Sequence, residues 1–179
     1  MVLRAKDALA TMSQGSRTML LWHDFFVAEV GASAALVGLL FVATSINLSR
    51  IVKARYLVAL AGQTLTILAG VLCVASLALF PDVNARGVLF AIAFVAAAMW
   101  IIATRLLWTL RLLPAVWRTP QRLASNILLA QSATLPVVIG SVLGLIRGQF
   151  YPDAIAAGIV LALVASLYSA WVLLVEILR

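Results

Sequence analysis

Charge and reactive side chains are what this chain lacks. Among 179 residues there are one cysteine, one histidine and six acidic residues, and only 11% are charged. A soluble domain carries roughly a quarter charged residues, so a water-exposed globule is excluded. The lone Cys73 lies in an apolar run, which rules out an intrachain disulfide and reads as an inert buried thiol. His23 stands alone, with no cysteine, histidine or carboxylate cluster at ligand spacing, so no metal site is expected. There is no nucleophile and base pair, no His-Glu-x-x-His, no phosphate-binding glycine loop and no facing histidine pair for haem. No catalytic residue, cofactor or enzymatic activity is therefore expected.

What is present is hydrocarbon, at 65% hydrophobic residues. A crossing of the bilayer takes about 20 apolar residues. Five runs reach that length, near 25–48, 56–80, 87–107, 127–146 and 154–178. The expected fold is an all-α, polytopic transmembrane bundle of about five helices over residues 23–179. Residues 1–22 are too polar for a signal peptide; Ala5, Ala8, Leu9, Met12, Met19 and Leu20 share one side of a helical projection. That pattern predicts an amphipathic segment on the membrane surface, interrupted near Gly15.

The net charge of +7 is read as topology, not as nucleic-acid binding. Arg50, Lys53 and Arg55 fill the first connection, and Arg105, Arg111, Arg118 and Arg122 surround the third, while the second and fourth offer only Arg86 and Arg147. The positive-inside rule then places the first and third connections in the cytoplasm, the N-terminus outside and Arg179 inside. Arg4, Lys6 and Arg17 oppose this orientation, being fewer. A bacterial-type inner membrane is the expected location. Interleaved with Trp108 and Trp117, Arg111, Arg118 and Arg122 are placed at headgroup depth, where they hold anionic lipid or simply anchor the chain.

Pro81-Asp82, Gly87 and Trp100 recur as Pro152-Asp153, Gly158 and Trp171 at a constant offset of 71 residues. Helices two and three and helices four and five thus read as two related hairpins, with helix one unduplicated. The same offset sets Arg105 and Glu176 at one depth, as an intramembrane ion pair or as two side chains reaching separately for water. Gln63 and Gln131 are expected to bond across the bundle, Gly140, Gly144 and Gly148 to mark a close helix contact, and Pro136 to kink helix four.

Helix one has two faces. At 100° per residue, Glu29, Ser33, Thr44 and Asn47 share one sector, and Gly31, Ala35, Gly38, Val42 and Ser45 share the opposite one. The small residues are expected to pack on the hairpins, leaving the polar sector free. With several copies around an axis, Glu29 would form a carboxylate ring, Ser33, Thr44 and Asn47 the wall, and Arg50 the cytoplasmic mouth. That predicts a homo-oligomeric, cation-preferring pore. The alternatives are a Glu29 that is protonated, bonded to a neighbouring helix or shallow enough to reach water, and a non-catalytic accessory subunit docked by helix one on a larger membrane complex.

Overall fold

The computed structural model of the chain describes residues 2–80, 85–110, 120–148 and 150–178, with side-chain surroundings for 22–54, 56–80, 86–108, 126–148 and 150–175. The order is α1 (Val2–Ile46), α2 (Leu48–Ile51), α3 (Arg55–Ala78), α4 (Ala85–Leu110), α5 (Pro120–Arg147) and α6 (Pro152–Leu178). Five of these are long and apolar enough to cross a membrane, over Trp22–Ile46, Tyr56–Ala78, Arg86–Trp108, Asn126–Arg147 and Pro152–Val175. The protein is a multi-pass, all-helical transmembrane bundle. Each predicted crossing falls within a few residues of an observed one.

Local chemistry sets the helix ends. Asn47 leaves the helical region at φ −102°, ψ 14°, and its side-chain amide donates to the Ala43 carbonyl at 2.9 Å. The amide thereby adds a second donor to a carbonyl that also accepts the Asn47 backbone N–H at 3.3 Å. Gly148 ends α5 at φ +66°, a left-handed conformation that glycine adopts without strain. Pro152 then opens α6 with Asp153 in its first turn, where a missing N–H and a negative charge both suit a helix start. Gly148 is thus a helix stop rather than part of a packing stripe.

Gly15 does not interrupt α1, which runs unbroken through 45 residues. A helical glycine costs only about 1 kcal/mol relative to alanine. At 1.5 Å per residue the helix rises about 67 Å, so Val2 to Leu21 continues beyond the apolar span.

Helix α3 packs on α4, α4 on α5, α5 on α6 and α6 back on α3, closing a ring of four. Helix α1 lies outside that ring, mainly against α3 and at the edge of α6. Its fully buried positions Phe26, Ser33 and Leu40 repeat every seven residues, which defines the inward stripe. Phe26 joins Val71, Val74, Ile92, Val137 and Ile159 in a core to which all five spans contribute. Near the Trp22 end of the apolar span of α1, Phe26 also meets Phe25 at 5.3 Å and Phe150 of the α5–α6 turn at 6.3 Å, ring centre to ring centre. This aromatic corner fixes where α1 enters the bundle.

The hairpin reading finds unequal partners. Gly87 is exposed whereas Gly158 is buried; Trp100 bonds inward whereas Trp171 is 61% exposed. Pro81-Asp82 lies outside the described residues. The ring supports two antiparallel hairpins but not residue-by-residue equivalence.

Candidate functional site

The two faces of α1 are both real, and they are oriented opposite to expectation. Ser33 is 0% exposed, and its hydroxyl donates to the backbone carbonyls of Glu29 at 2.7 Å and Val30 at 3.2 Å. Thr44 does the same towards Leu40 and Phe41, each at 2.9 Å. Glu29, Thr44 and Asn47 are half-buried on the side that packs on the ring. Polar groups in hydrocarbon have no water to bond, so they turn to protein. Glu29, predicted to ring an axis, and Ser33, Thr44 and Asn47, predicted to wall it, look towards the body of their own chain, the hydroxyl and amide bonds staying within α1. Arg50, the predicted mouth, is exposed on α2 just past the Asn47 break.

Glu29 differs from its neighbours. Its Oε2 is buried and finds no hydrogen-bond partner among the described residues. Six positions before it, His23 Nδ1 and Asp24 Oδ1 lie 3.5 Å apart with both side chains well exposed. An exposed His23–Asp24 contact thus stands between one and two turns before a carboxyl group inside the span.

The opposite sector is bare. Gly31 and Gly38 have nothing within 4 Å of where a Cβ would stand, and Ala35, Val42 and Ser45 are exposed. Only 17% of the apolar window of α1 is buried, against 61% for α3, so α1 is the least covered span of the bundle.

No protein-family model, curated protein or solved structure matches this chain. Its function therefore has to be read from its own geometry. Arg105 is exposed near the end of α4, and the Glu176 side chain lies outside the described residues, as do Arg111, Arg118 and the side chain of Arg122. Those proposed ion-pair and headgroup contacts have no described geometry.

A polar cluster that the sequence only half disclosed ties α4 to α5. The Trp100 indole N–H donates to Gln131 Oε1 at 2.8 Å, and Gln131 Nε2 reaches Thr104 Oγ1 at a long 3.5 Å. Gln131 bonds across the bundle as its intramembrane position predicts. Gln63 is buried, and its Oε1 has no partner among the described residues. The signal for the cluster was the four-residue spacing of Trp100 and Thr104, which puts both on one helix face.

Proposed function

We propose that this protein is a non-catalytic membrane subunit that works in an assembly, seated through the outer face of α1 on a second transmembrane helix. The observation that carries this reading is the uncovered Gly31, Ala35, Gly38 and Val42 surface on the least buried span. Between helices in lipid there is no hydrophobic drive, so association depends on close backbone approach at small residues. A second copy presenting the same face gives a two-fold contact, and a larger complex gives a fixed hetero-stoichiometry. In the cell the end bearing Arg50, Lys53 and Arg105 faces the cytoplasm of a bacterial-type inner membrane, against anionic lipid.

The test is Gly31→Leu with Gly38→Leu. A Cβ at either position enters open space and leucine is the better helix former, so the thermal midpoint of the single chain should not fall while the assembly is lost in native mass spectrometry of membrane extracts. An assembly that survives both changes, or a wild-type chain that is monomeric and unpartnered, defeats the reading.

A homo-oligomeric, cation-preferring pore is the second reading, favoured by the unpartnered, buried Glu29 Oε2. Because the polar sector packs on the ring, an axis lined by it requires α1 to swing away from α3. In liposomes, Glu29→Gln should then abolish the preference for cations over anions; selectivity that does not change removes the pore.

A further inference from the structure

A cleft of about 190 Å³ opens between α1, α3 and α6, lined by Leu36, Leu40 and Ala43 of α1, Leu68 of α3, and Ser166 and Ala170 of α6. At its mouth Leu39 is 68% and Leu167 51% exposed, so it opens onto the lipid-facing surface. For scale, an apolar cavity of roughly 150 Å³ is enough to take up benzene. Ser166 is the only hydroxyl-bearing residue in this lining.

Ser166 is also the exception among the hydroxyls packed inside the bundle. Ser33, Thr64, Thr134 and Ser141 each donate to a carbonyl of their own helix at 2.7 to 2.9 Å. This back-bonding is the usual refuge of a hydroxyl in an apolar helix. Ser166 is 1% exposed, and its Oγ has no partner among the described residues. It sits well inside the Pro152–Val175 span, at a depth where bulk water supplies no bond.

We propose that this cleft binds a membrane-dissolved molecule with an apolar body and one hydrogen-bond acceptor, the leucine walls holding the body and the Ser166 hydroxyl, whose Oγ lies just beneath the lining, rotating about χ1 to donate to the acceptor. The chemistry of the lining selects both features. Leucine and alanine offer nothing to a polar body, and a plain alkyl chain would leave the hydroxyl unbonded. The site lies on the ring-facing flank of α1, away from Gly31 and Gly38, and so goes beyond the docking reading and stands without it.

The test uses two probes that differ only at the acceptor. Octanophenone carries a ketone where octylbenzene carries a methylene. Each is titrated into the purified full-length protein in detergent micelles, and affinity is read from the rise of the thermal midpoint with ligand. One hydrogen bond in such a site corresponds to about a fivefold preference for the ketone. Ser166→Ala should equalise the two probes, and Ala43→Phe should remove binding of both. If Ala43→Phe fails to fold, Ala170→Phe closes the same cleft from α6. Equal affinities in the wild type, a ketone preference that survives Ser166→Ala, binding untouched by the filled cleft, or no binding of either probe each overturns the proposal.

Discussion

Gly158→Ala should lower the unfolding free energy of the bundle by about 1 to 3 kcal/mol, the usual cost of forcing an extra methyl into a filled space. A Cβ at Gly158 would stand 2.5 Å from Val137 Cγ2, 2.9 Å from the Val137 backbone nitrogen and 3.3 Å from Pro136 Cβ. A side chain can rotate away, but a backbone nitrogen cannot move without carrying α5 with it. Gly70→Ala is the matched control. Its Cβ would collide with Met99, yet the atoms met first are Sδ and Cγ of an unbranched, flexible side chain. The Gly70 variant should therefore lose clearly less stability than the Gly158 variant. Both are measured as thermal midpoints in micelles, beside Gly31→Ala, which meets nothing and replaces a poor helix former by the best one. Equal losses at Gly158 and Gly31 would show that α5 and α6 do not approach this closely.

The crossings were legible because each is a continuous apolar run and the bilayer sets its length. Orientation about each helix axis was not. In a soluble helix the apolar stripe points inward, but in lipid both apolar and small residues can face outward, so hydrophobicity stops discriminating. On α1 the opposed sectors of Ser33 and Gly38 were correctly separated by periodicity, while assigning the inward role to Gly38 used the wrong physical rule. Burial decides it: Phe26, Ser33 and Leu40 seat that side on the ring, which also shields Glu29, whereas the bonds of Ser33, Thr44 and Asn47 run to carbonyls of α1 itself and form in either orientation. Periodicity misled at Gly148 for another reason. Its four-residue spacing from Gly144 matched a packing stripe, but Pro152 lies close enough that the chain must turn there, and φ +66° takes the glycine for that purpose. Ser166 carries no sequence signal, because an unbonded hydroxyl cannot be told from a back-bonded one without coordinates.

Half-buried Gln131 and buried Gln63 should respond differently to apolar substitution. Gln131→Leu removes the acceptor of the Trp100 indole and leaves that N–H orphaned inside the span, at a cost of about 1 to 2 kcal/mol. The long contact to Thr104 adds little to this, since hydrogen bonds weaken towards 3.5 Å. A double-mutant cycle with Trp100→Phe isolates the bond, with an expected coupling of about 0.6 to 1.7 kcal/mol, between the mean and the maximum for interhelical hydrogen bonds in membranes. Gln63→Met keeps the length of the side chain and removes a buried oxygen that has no partner among the described residues. Relief from burying that atom should leave the bundle equally stable or more stable, by up to about 1 kcal/mol. A destabilised Gln63→Met protein would mean that the oxygen is bonded in the membrane, by a partner helix or a bound molecule. A cycle showing no coupling would mean that Trp100 and Gln131 are merely adjacent, and α4 and α5 would then be held by their apolar packing alone.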